Sequence, residues 1–113
     1  MARFLAAISN GGALGDVRIL SAPGVTQMIA SQTDGVDMGD MAAPGEYYGT
    51  FWSGIGSMVG HDGGDPGITT EMYFDPQKKK GFVMLINLDE KEIPRLDKMI
   101  TETIRFTYTY QRN

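Results

Sequence analysis

The chain has no cysteine and only one histidine, His61, in 113 residues. The missing thiols exclude disulfides, thiolate metal sites and a cysteine nucleophile, though they do not set the compartment. With a single imidazole, carboxylates alone remain to complete any zinc site. A basic stripe is also missing. The net charge is −4 and the sole basic run is Lys78-Lys79-Lys80. That run lies between two strand-like segments, where a solvated hairpin tip is the ordinary reading. Nucleic acid is therefore not an expected partner. Long apolar runs are absent as well. Phe4 to Ile8 falls far short of a signal-peptide core or a membrane span, so the chain as it stands reads as soluble and unexported, with no membrane partner. No Gly-x-Gly-x-x-Gly and no Gly-Lys-Ser/Thr occurs, which leaves no dinucleotide or phosphate loop, and no cofactor or metal is expected.

What is abundant is glycine, at 15 of 113 residues, against an ordinary share of about 7%. This favours a tightly turned chain over a helical bundle. Apolar and charged shares of 42% and 21% are those of an ordinary globular protein. The length fits one domain, 1–113, with a helical and loop part over 1–45 and a sheet plus terminal helix over 46–113.

Ala2 to Ile8 reads as a short helix stopped by Asn10-Gly11-Gly12. Asp16 to Leu20 reads as an extended link. Ser21 is placed to cap a second helix, with Pro23 in its first turn and Val25, Met28 and Ile29 on its apolar face. Residues 32–45 form a loop with Asp34, Asp37 and Asp40. This spacing lacks the alternate oxygen ligands and distal glutamate of a calcium loop. From Glu46 strands dominate. Tyr47 to Ile55 is aromatic-rich and broken by Gly49 and Gly54, Ser57 to Gly63 is a second strand, and Ile68 to Phe74 alternates. Gly81 to Leu88 is nearly all apolar, which predicts a strand covered on both faces and central to its sheet. Short turns join the last three strands into an antiparallel meander. A helix from Lys91 to Tyr108 carries Ile93, Leu96, Ile100, Ile104 and Tyr108 as one stripe. The fold class is therefore α+β, an antiparallel sheet of three to four strands under helices.

The sharpest chemical feature is His61-Asp62-Gly63-Gly64-Asp65-Pro66-Gly67. Three glycines in seven positions allow a close approach to the backbone. None of the five serines is followed three residues later by lysine, none sits in Gly-x-Ser-x-Gly, and no Tyr-x-Asn occurs. A lone histidine is more often structural than catalytic, and the glycine context brings the two readings close together. Asp62 and Asp65 offer a carboxylate-based hydrolase as a further reading, although aspartates beside glycines are usually turn formers.

Five segments in order resemble the C-terminal part of the serine β-lactamase-like family, which includes class C β-lactamases, D-alanyl-D-alanine peptidases and related esterases. They are Arg3-Phe4-Leu5 with Asn10-Gly11-Gly12, then Arg18-Ile19-Leu20-Ser21 with Val25 and Met28. Tyr48-Gly49-x-Phe51-Trp52 follows, similar to a Tyr-Gly-x-Gly-Trp strand but with Phe51 in place of its second glycine. Gly60-His61-Asp62-Gly63-Gly64-Asp65-Pro66-Gly67 is close to a Gly-His-x-Gly-Gly-x-Pro-Gly signature. Asp75-Pro76 with the run from Gly81 to Asn87 completes the set. The resemblance implies that His61, Asp62 and Gly63 are the third catalytic motif, with the Gly64 N–H in an oxyanion hole and His61 on the acyl substrate. It also implies a Ser-x-x-Lys nucleophile, which these residues lack, so the chain alone is expected to be inactive in acyl transfer. The sheet would take three strands from this chain and two from elsewhere. Strand 81–88 would then be a bare edge that recruits a second copy or a complementing N-terminal chain. The competing expectation is a non-catalytic domain that self-associates or binds a ligand.

Overall fold

A computed structural model describes residues 1–88 and 95–109, and it is α+β. Helix α1 (Ala2–Ser9) turns Leu5, Ala7 and Ile8 inward. It stops where Gly11 (φ 70) and Gly12 (φ 90) enter the left-handed region, and the Gly12 N–H bonds back to the Ala7 carbonyl at 2.8 Å. Glycine is obligatory at position 12, because a Cβ there would lie 2.0 Å from the Leu20 carbonyl oxygen. The segment expected as an extended link is instead a small hairpin, β1 (Ala13–Leu14) with β2 (Val17–Arg18), turned through Gly15 at φ 59. Two-residue strands are too short for an alternation signal. The Arg18 guanidinium secures this corner, donating to the Gly11 and Leu20 carbonyls at 2.9 Å each.

Helix α2 (Ala22–Ile29) is capped as expected. The Ser21 hydroxyl accepts the Gly24 N–H at 3.1 Å, Pro23 occupies the first turn, and Val25 is buried. A long connection with one 3-10 turn at Gly39–Met41 then leads into the sheet.

The sheet is antiparallel in the order β3-β4-β5-β6-β7: β3 (Glu46–Tyr48), β4 (Ser53–Ile55), β5 (Met58–Asp65), β6 (Ile68–Asp75) and β7 (Lys80–Ile86). All five strands come from this chain, where three to four were expected in all and three by resemblance. The extra strand arises because the aromatic segment folds back on itself. Tyr48 pairs with Ser53, and residues 49–52 make the turn.

The strand expected at the centre lies at an edge. Among the described residues β7 pairs only with β6, and Leu85 is 68% exposed. Its continuous apolar character reflects two packed helices, since both α1 and α3 (Leu96–Thr109) contact it. The start expected for the terminal helix, Lys91 to Pro94, lies outside the described residues. Within the helix Ile100 is buried.

The core joins Leu5, Ile8, Val25, Trp52, Val59 and Phe74. Trp52 stacks on Phe4 at 6.3 Å and meets Phe74 edge-on at 5.8 Å. Register places Val59, His61, Met72, Phe74 and Val83 on the sheet face that carries α1. At the opposite end of β6, the buried Asp75 carboxylate closes the β6–β7 turn. It accepts the Gln77 and Lys78 N–H groups at 2.9 and 3.0 Å and the Ser57 hydroxyl at 2.8 Å. The Lys78 N–H foremost, with the Ser57 and Gln77 donors, holds this carboxyl below its ordinary value against the opposing effect of burial.

Candidate functional site

Strand β5 is longer than its neighbour β4, and that mismatch creates the site. β4 pairs with Met58, Val59 and Gly60 only, while β6 pairs along β5 as far as Asp65. Val59 and Gly60 are buried between the two partners. His61 to Asp65 overhang the end of β4 and are exposed. An antiparallel strand directs its backbone groups alternately to its two sides. Alternate residues of the overhang therefore present N–H and C=O groups toward the open side. The overhang stays rigid because β6 holds its other edge, and the Thr70 hydroxyl adds a 3.1 Å bond to the Gly63 carbonyl.

The three glycines of β5 are not equivalent. At Gly60 an added Cβ would lie 2.3 Å from the Met72 carbonyl oxygen and 2.2 Å from the Tyr73 ring. Packing demands glycine there. At Gly63 the nearest atom is the Thr70 hydroxyl at 3.1 Å, a side chain with room to turn. At Gly64 the nearest atom is the Ile68 carbonyl oxygen at 3.9 Å, ordinary contact, and φ lies outside the left-handed region. Neither sterics nor backbone conformation asks for glycine at 64.

His61 sits at the start of the overhang between two hollows. One, of about 370 Å³, is lined by Tyr48, Gly49, Phe51, Trp52, Ser53, His61 and Asp62. The other, of about 450 Å³, is mainly apolar, bounded by Phe4, Met72, Val83 and Leu85. The His61 Nδ1 bonds the Asp62 backbone carbonyl. A carbonyl only accepts, so Nδ1 is the donor of this pair.

Asp62 faces the phenols. Its carboxylate accepts the Tyr73 hydroxyl at 3.3 Å. Burial foremost raises the Tyr73 phenol above its ordinary value, and the Asp62 charge raises it further. The Tyr48 phenol is raised by desolvation, then by Glu46, with a smaller contribution from Asp62. Asp62 and Asp65 stand three residues apart on a strand and so project from opposite faces, which separates the two carboxylates that a paired acid–base mechanism needs on one face. Ser53 lines the smaller hollow, but its hydroxyl donates to the Gly60 carbonyl at 3.5 Å. Among the described residues it makes no bond to His61. No group of three or more His, Asp or Glu side chains among the described residues is placed to hold a metal ion.

The beta-lactamase family model matches residues 1–102. The chain belongs to the beta-lactamase family. No curated protein matches it. Membership relates the chain to a hydrolase family, and the match spans α1, the sheet and the first half of α3. In this beta-lactamase-family chain His61, Gly63 and Gly64 share one exposed strand segment, and residues of the Tyr48–Trp52 turn line the smaller hollow together with His61 and Asp62. Sequence reasoning found the strand but not Phe51 as a wall. The motif departure at Phe51 was the available signal: the backbone there keeps a left-handed φ of 60 although the residue is not glycine.

Proposed function

We propose that this chain supplies the carbonyl-binding wall of a serine-hydrolase-type site acting on an amide or ester through an acyl-enzyme. Gly64 offers its backbone N–H on the open side of β5, with Gly63 beside it as the third residue of the motif, and His61 contacts the acyl group. When a nucleophile adds to a carbonyl carbon, the C–O π pair moves onto oxygen. A fixed N–H aimed at that oxygen stabilises the charge by about 3 kcal/mol. A strand held by β6 is pre-organised for this and need not rearrange as the charge develops. Gly64 carries the reading: it is glycine where the fold accepts a side chain, which fits a position kept clear for substrate.

The 113 residues contain no Ser-x-x-Lys, so the chain alone binds but does not turn over. The test is titration of the isotopically labelled chain with phenylacetamide, a neutral acyl probe, with chromogenic ester and cephalosporin assays in parallel. Amide shifts at His61 to Gly64 without hydrolysis support the proposal. Shifts absent from this segment refute it. Hydrolysis by the chain alone that is lost in His61→Ala would show that it is not an incomplete site.

A second reading is a self-associating, non-catalytic domain, favoured by the ladder of β7, which is open among the described residues. A seven-residue apolar edge strand is a template for another strand. Antiparallel pairing about Met84 sets Val83 against Leu85 and Phe82 against Ile86 of a second copy, with no like charges opposed. A complementing N-terminal chain on the same edge is the competing occupant.

A further inference from the structure

We infer that the smaller hollow beside His61 selects an ammonium group, so that the acyl compound bound here is cationic rather than anionic. The inference rests on the acyl-binding reading of the same strand and adds the charge class of the ligand.

Three observations carry it. Tyr48, Phe51 and Trp52 contribute to the walls of a hollow of about 370 Å³, and Asp62 lies beside them. Aromatic faces attract cations through their quadrupole, and a neighbouring carboxylate adds direct attraction. Neither hollow has Lys or Arg in its lining among the described residues, whereas Asp62 lines both and Glu71 lines the larger. A substrate carboxylate in the smaller hollow would find no lysine or arginine among the described residues and would lie against the Asp62 charge. Finally, Phe51 is 86% exposed and holds a φ of 60, a conformation unfavourable for a bulky residue. Its ring contributes little to the core, so the strained residue is explained better by what it presents than by what it packs against.

The arrangement also orders the ligand. An ammonium group in the aromatic hollow, which His61 and Asp62 also line, leaves the adjoining acyl carbon to extend along the overhang toward Gly64. The rest of an apolar acyl compound can extend toward Phe4, Met72 and Leu85.

Binding of benzyltrimethylammonium, phenylacetamide and 3-phenylpropionate is followed by Trp52 fluorescence and by amide shifts. The ammonium probe is expected to bind about tenfold or more tightly than the carboxylate and to weaken with salt. Asp62→Asn should collapse that preference. Phe51→Gly, which relieves the left-handed strain and should leave the chain folded, should weaken the ammonium probe by about two- to fivefold. Equal affinity for the two charged probes, or a preference that survives Asp62→Asn, overturns the inference. Phenylacetamide shifts at Gly63 and Gly64 with no ammonium preference would sink this inference and leave the acyl-binding wall standing. Ammonium selectivity without any amide-probe shift on the overhang would do the reverse.

Discussion

Alanine placed at Gly60 and at Gly64, four residues apart on one strand, should have opposite effects. The Gly60→Ala methyl meets the Met72 carbonyl oxygen at 2.3 Å and the Tyr73 ring at 2.2 Å. The ring cannot relieve the contact alone, because the backbone oxygen is part of the β6 ladder. Overpacking of this kind costs about 3 kcal/mol. At about 4 °C per kcal/mol for a chain of this size, the midpoint should fall by about 12 °C. The Gly64→Ala methyl meets nothing closer than 3.9 Å, and φ there is not left-handed. It should raise stability by about 0.5 kcal/mol, because glycine in a strand loses more conformational freedom on folding than alanine. Yet the methyl occupies the space proposed for the substrate carbonyl, so phenylacetamide affinity should fall by about tenfold. Urea unfolding followed by Trp52 fluorescence gives the first quantity and amide-shift titration the second. Unchanged probe affinity in Gly64→Ala would refute the assignment of that backbone to the site. Destabilisation equal to that of Gly60→Ala would show that the fold does require glycine at 64.

Phe74 is 1% exposed at the centre of the core, so Phe74→Ala should cost about 4 kcal/mol in urea unfolding; a loss below about 1 kcal/mol would contradict the packing. Asp75 has a carboxyl whose folded value is lowered, chiefly by the Lys78 N–H, so its contribution is present above the ordinary carboxylate range near pH 4 and is lost as pH falls through the lower folded value. Asp75→Asn should flatten the acid limb of the unfolding midpoint, and an unaltered limb would assign it to other groups. Static light scattering at about 100 μM should report a dimer or larger species that Leu85→Lys reduces to monomer; a clean monomer in the parent chain would remove the self-pairing of β7.

Local signals were legible in the sequence where they are chemical. The Asn10-Gly11-Gly12 stop, the Ser21 cap and the Asp75-Pro76 turn each depend on residues within about four positions, and each forms as the side-chain chemistry requires. Two features were not legible because they depend on which strand lies beside which. The apolar run of β7 looks like a central strand by composition, but helices, not strands, account for its burial. The fold-back at residues 49–52 was hidden because Phe51 stands at a left-handed position, where a bulky residue argues against a turn.

The same distinction separates what was legible in the site. His61 stood out by being unique, and the glycines after it stood out by number, but a glycine count does not say which glycines serve the fold. That question turns on neighbours. Gly60 has the Met72 carbonyl and the Tyr73 ring of β6 against it, whereas Gly64, four residues beyond the last β4 partner, meets nothing closer than 3.9 Å. The packing of β6 therefore decides which glycine is structural, and the length of β4 decides which part of the strand is free to meet a ligand. Lengthening β4 across the 49–52 turn would pair the overhang, fill the smaller hollow and remove the donors from reach. The short β4 strand and the strained Phe51 within the turn that precedes it belong to one device: both keep the open side of β5 accessible.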